Sequence, residues 1–226
     1  MPRLRALISI LLSYVMVVMP VMGSTPAVVG TITSAVGARV GAAAASTGAT
    51  VFQGDHLSTE TAGNLQVRTG AARLRLSEKT SASLDTSEGA PSATLLSGTV
   101  VFSTANAKAF ALHASTALIR PESDQPTVAQ VTYVSAKELR VRSSRGSLAI
   151  TVDGETQIVP EATAYRVILD PDSYYADQGP EGAGGRQGHG PRKAGRSRFL
   201  LIAIVVTGVV TGVALYKALE SPDSPH

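Results

Sequence analysis

The chain has 226 residues, a formal net charge of +3, 44% hydrophobic but only 4% aromatic side chains, and neither cysteine nor tryptophan. The missing cysteines exclude disulfides, thiol nucleophiles, cysteine-bound zinc and a lipidated N-terminal cysteine. The placement of the charge speaks against nucleic acid: residues 24–178 hold 12 Lys/Arg and 14 Asp/Glu, a net of −2, while residues 179–198 hold five basic residues and one acid, so the basic excess flanks apolar runs instead of building a phosphate-binding domain.

Residues 1–23 read as a signal peptide. Arg3 and Arg5 give a positive start, Ala6 to Met19 is apolar, Pro20 breaks the run, and Val21-Met22-Gly23 offers a cleavage site after Gly23. An uncleaved N-terminal anchor is the alternative.

Residues 24–176 carry the strand signal. Leu65 and Val67 alternate with Asn64, Gln66 and Arg68. Leu74 and Leu76 alternate with Arg73 and Arg75, Leu139 and Val141 with Arg140 and Arg142, and Leu148, Ile150 and Val152 with Ser147, Ala149 and Thr151. Asp153-Gly154 is a preferred two-residue hairpin turn, with Glu155 to Val159 as the return strand. No window shows a 3.6-residue apolar stripe. The pattern predicts an all-β domain, a sandwich or roll of at least ten short strands; a parallel β-solenoid is the second choice.

Residues 177–198 form a linker rich in Gly, Pro and Arg that cannot build a core. Residues 199–216, FLLIAIVVTGVVTGVALY, carry no charge. As a helix they are about 27 Å long, which predicts a transmembrane span; a buried core helix is the alternative. Residues 217–226 are a polar tail.

The motifs of catalysis are missing: no G-x-S-x-G, no phosphate-binding P-loop, no H-E-x-x-H. No enzymatic activity, cofactor or metal is expected. Asp55 and His56 are adjacent and invite a metal or acid–base reading, but nothing nearby supplies further ligands; Asp55 reads better as a turn-stabilising residue and His56 as a strand-edge side chain. His113 alternates in a strand and is expected at the surface or an edge. His189 lies in the linker and His226 is the last residue. Gly208 and Gly212, with Thr207 and Thr211, form a small-x-x-x-small pattern through which two membrane helices could pack, so a homodimer is considered. Arg73, Arg75, Arg140, Arg142 and Arg145 alternate with apolar residues and could share one basic face. A polyanionic envelope polymer would suit it, against the plainer reading of a solvated face that discourages edge pairing.

The stretch from Val28 to Val167 resembles the FecR protein domain, best known from membrane-bound regulators of ferric-citrate uptake. Gly54-Asp55-His56-Leu57-Ser58-Thr59 matches the family's G-D-x-L-x-T turn, so Gly54, Asp55, Leu57 and Thr59 are expected to be structural. Ala71 to Leu76 occupies the place of its arginine/leucine strand. Leu95 to Phe102 resembles its L-x-x-G-x-V-x-F element, Ala109 to Ile119 its F-x-V-x-T-P-x-A-x-I stretch, and Leu139 to Val159 its V-x-x-x-x-G-x-V-x-V hairpin. The family's regulators carry a tryptophan-containing segment that holds a sigma factor ahead of their membrane span. This chain has no Trp and only Met1 to Arg5 before its first apolar run, so sigma-factor control is not carried over.

Together these readings predict a non-enzymatic, membrane-tethered binding or signalling module of the bacterial cell envelope. Its partners would be membrane lipid and an envelope protein or polymer, with no role for nucleic acid. The alternative is a structural envelope component that self-assembles through its helix and sheet edges. The expected location is the inner membrane, single-pass, with the β domain in the periplasm or exterior. One feature opposes that topology. Arg186, Arg192, Lys193, Arg196 and Arg198 precede the second apolar run, where basic residues normally mark the cytoplasmic side. Export is preferred because the N-terminal segment is translocated first and carries its own positive start.

Overall fold

The computed structural model describes residues 26–87, 89–171 and 198–204. The expected signal peptide, the linker apart from Arg198, and residues 205–226 lie outside the described residues, and with them Gly208, Gly212, Thr207, Thr211, His189 and His226.

The described residues form fifteen strands and no helical element. In chain order these are β1 (Val28–Val40), β2 (Ala43–Ala44), β3 (Thr50–Phe52), β4 (His56–Thr69), β5 (Ala72–Leu76), β6 (Ser81–Ser87), β7 (Ala90–Thr104) and β8 (Ala111–Ala114). β9 (Ala117–Pro121), β10 (Thr127–Ser135), β11 (Glu138–Arg145), β12 (Leu148–Val152), β13 (Glu155–Val159), β14 (Ala164–Ile168) and β15 (Leu200–Ile204) follow. The chain is all-β, as its alternating pattern predicts. The Asp153-Gly154 turn joins β12 to β13, with both residues at positive φ (48° and 84°).

All fifteen strands belong to one hydrogen-bonded sheet. Every pairing is antiparallel except β7 with β8, so the fold is not a parallel solenoid. The sheet becomes two layers because its long strands change partners part-way. The first half of β7, Ala90 to Ser97, pairs with β6 and β8, and the second half, Gly98 to Thr104, pairs with β10 and β5. β4 likewise pairs with β6 through His56–Ser58 and with β5 through Leu65–Thr69. The register of β1 against β4 shifts between Val36 and Ala38. The three strands thus bend along one line, at Gly37, at Ala62-Gly63 and at Gly98, in the manner of corner strands that pass from one packed sheet to another.

One layer runs β4–β6–β7–β8–β9–β12–β13, and the other β1–β4–β5–β7–β10–β11–β14–β15. Between them lie the inward residues of the alternating pattern: Leu65, Val67, Leu74, Leu76, Leu139, Val141, Leu148, Ile150 and Val152 are all at most 1% exposed. Aromatic packing is sparse, as composition dictates. Phe102 and Phe110 make one tilted contact, with ring centroids 5.4 Å apart. At the far end the layers meet again. Gln157 of β13 donates to the Phe199 carbonyl at 3.2 Å, and the Glu155 carboxylate accepts the Arg198 N–H at 2.7 Å.

One expectation is corrected. Leu200–Ile204 do not begin a helix: they form β15, paired residue for residue with β14, and Phe199 is fully buried in the core. An uninterrupted apolar run has no periodicity to tell a strand from a helix, and β14 offers an open edge. Among the described residues, no helix is long and apolar enough to cross a membrane. His113 is partly exposed on β8, which lies between β7 and β9, so of the two expected places, surface or edge, it takes the surface of an interior strand.

Candidate functional site

The expected turn residues make the following contacts. Gly54 takes φ 82°. The Asp55 carboxylate accepts the Phe52 N–H at 2.8 Å, closing the turn from β3 to β4. His56 Nε2 lies 3.0 Å from Ser81 Oγ on β6; among the described residues, no group of three His, Asp or Glu side chains could hold a metal ion. Leu57 is fully buried. Thr59 accepts the Thr80 N–H at 2.9 Å on its hydroxyl and donates to the Ser77 carbonyl, tying β4 to the turn before β6.

The arginines have a different fate. On β5 and β11, odd and even positions face opposite ways, and Leu74, Leu76, Leu139 and Val141 point inward. Arg73, Arg75, Arg140 and Arg142 must therefore point outward. Strand order decides whether they meet. Following cross-strand partners gives a first row Arg68–Arg73–Ser103–Val128–Arg145. A second row is Gln66–Arg75–Val101–Gln130–Arg142–Ala164–Ile204. A third is Thr99–Thr132–Arg140–Arg166–Ile202, and a fourth is Glu138–Ile168–Leu200. All five expected arginines share this outer face, joined by Arg68 and Arg166.

Seven of the nine arginines between residues 24 and 178 thus lie on one face, and Glu138 is the one carboxylate in its rows. Arg166 grips Glu138 with two nitrogens, Nε to Oε1 at 2.8 Å and Nη2 to Oε2 at 2.9 Å. These bonds hold the Glu138 carboxyl below its ordinary range, and the charges of Arg166 and Arg140 act the same way against partial burial. Arg140 and Arg142 make no salt bridge to a carboxylate among the described residues. The Nε of Arg75 is buried without a hydrogen-bond partner. Arg140, Arg142 and Arg166 line a hollow of about 390 Å³ with Gln130 and Thr132, and Ala164 and Ile204 form its apolar side.

Sequence reasoning missed two of the seven. Arg68 follows Val67 in the same alternation as its neighbours, so period 2 alone could have found it. Arg166 needed the pairing of β14 with β11, which no local signal carries.

No family model matches the sequence, and no curated protein does. Among solved structures, two crystal structures described as a candidate anti-sigma factor from Parabacteroides distasonis are similar. They share 13% and 12% identity, each over 50% of this chain and 54% of that one, with a TM-score of 0.42 in both cases. The chain therefore spans about half the length of these structural neighbours.

Proposed function

We propose that the chain is a non-enzymatic, membrane-tethered module of the bacterial cell envelope, with a FecR-like domain that binds or signals through the arginine face. The observation that carries this reading is the gathering, among the described residues, of seven arginines with one carboxylate in the rows of a single outer surface, in a domain whose overall charge is slightly negative. Uniform solvation would not require such segregation, whereas recognition of an anionic component is favoured by it. The resemblance to the FecR domain supports the envelope setting, and its motif residues Asp55 and Thr59 bond within the fold, which leaves the outer face free for binding.

The test is a photo-crosslinking amino acid at Gln130, beside the hollow, in cells that make the full chain. An adduct with an envelope component, lost when Arg140 and Arg142 are both changed to Gln, supports the module. An adduct of the chain with itself alone supports the self-assembling structural component and contradicts the module.

A further inference from the structure

The geometry points to the occupant of the arginine face: the surface of a bilayer rich in anionic phospholipid, on which the outer face of β5, β10, β11, β14 and β15 lies flat. The inference rests on the binding role given to that face above and names its partner.

Three observations converge. The first is charge. Among the described residues, the rows of the face carry seven arginines and one carboxylate, Glu138, itself engaged by Arg166. Arginine forks bind phosphate oxygens in pairs of hydrogen bonds, and each basic side chain near an anionic leaflet contributes about 1 kcal/mol. The second is the border. On β15 the residues on the arginine side are Leu200, Ile202 and Ile204, level with Ile168, Arg166 and Ala164. All three are partly exposed. An aliphatic strip beside a basic field is the composition of surfaces that lie at the headgroup boundary, apolar groups dipping below the phosphates that the cations hold. An acidic polysaccharide or peptide would answer the charge and leave this strip unexplained.

The third is chain direction. β15 runs from the Glu138 row toward the row of Arg68, Arg73 and Arg145. Beyond Ile204 the sequence continues from Val205 to Tyr216 without a charge. Leu200–Ile204 are committed to the sheet, so this uncharged stretch of sequence begins at the border of the arginine face.

The chain lacks cysteine, so single labels are unambiguous. The full-length protein carries Gln130→Cys, or Thr156→Cys on exposed β13 of the other layer, each labelled with a fluorophore. Both are mixed with vesicles containing nitroxide lipid, of phosphatidylcholine alone or of phosphatidylcholine with phosphatidylglycerol. Sedimentation with vesicles reports attachment; quenching reports which face touches lipid. The expected result is quenching at Gln130 and not at Thr156, in phosphatidylglycerol vesicles and reversed by salt. Arg140→Gln with Arg142→Gln should reduce the docked-to-undocked ratio roughly 25-fold, about fivefold per charge. Sedimentation with equal quenching at both positions, or none at either, overturns the face and leaves membrane attachment standing. Failure to sediment with any vesicle overturns both. A crosslink in cells from Gln130 to an acidic polymer or protein instead of lipid keeps the binding module and overturns its lipid partner.

Discussion

The hydroxyl of Thr80 sits between the two backbone groups of Thr99, accepting its N–H at 2.9 Å and donating to its carbonyl at 3.1 Å. Thr80 is 1% exposed, and its own N–H is held by the Thr59 hydroxyl at 2.9 Å. One side chain thus pins the bend of β7 to the bend of β4. Thr80→Val keeps the shape and strands the Thr99 N–H, at about 1–3 kcal/mol for one buried unsatisfied group, while the Thr99 carbonyl keeps the Ser77 N–H at 3.0 Å. Urea unfolding should show a midpoint lowered by an equivalent of about 1–3 kcal/mol with little change of slope. Thr99→Val loses only a half-buried hydroxyl contact to Thr132 at 3.0 Å and should stay within about 1 kcal/mol of the parent.

Gly98, where β7 changes layers, has φ 82°. A Cβ there would lie 2.6 Å from the Lys79 carbonyl oxygen and 2.5 Å from the Thr80 hydroxyl, and neither can retreat without breaking the corner. Gly98→Ala should destabilise by about 3 kcal/mol or more, joining a strained φ to an overpacked contact. Gly41 also has positive φ (57°) but meets nothing within 4 Å, so Gly41→Ala should lose only about 1 kcal/mol. Thermal unfolding of the two variants side by side checks the contrast.

The Glu138–Arg166 pair should make stability depend on pH. The folded carboxyl is held below the ordinary value of 4.5, so the pair's contribution is present above that value and lost as pH falls through the lower folded value. With Glu138 20% and Arg166 37% exposed, solvent screening limits the contribution to about 1 kcal/mol or less. Glu138→Gln should therefore be less stable than the parent at pH 7, and the difference should close on acidification below 4.5. A gap that widened toward low pH would contradict the assignment.

Docking of β15 can be read from one side chain. Phe199 is fully buried, and Phe→Ala in a core loses about 3–5 kcal/mol. Phe199→Ala should lower the unfolding midpoint of the β domain accordingly. If residues 199–216 instead formed a helix away from the sheet, the midpoint would not move.

Much of the fold was legible because most strands have one buried face. Leu74 against Arg73 and Arg75, or Leu139 against Arg140, states which side is core without reference to any partner. What remained hidden is tertiary. Nothing local says that β1, β4 and β7 are long strands shared by two layers, since the bends at Gly37, Gly63 and Gly98 look like ordinary turn signals between short strands. β15 was misread because FLLIAI is apolar on every side, and only the open edge of β14 makes it a strand. The arginine face was half legible: alternation showed that Arg73 and Arg142 point away from the core. The row joining Arg75 to Arg142 through Val101 and Gln130 exists only once β7 and β10 lie between β5 and β11.

An envelope function requires the β domain on the exported side of the membrane. The basic residues before residue 199 and the positive start at Arg3 and Arg5 argue in opposite directions. Alkaline phosphatase, inserted at Gly188 in the full chain and expressed in a bacterial host, is active only when exported. The expected result is an active enzyme at Gly188, with the β domain on the envelope side. An inactive reporter there, in a chain made in normal amounts, would place the domain in the cytoplasm and contradict the envelope function.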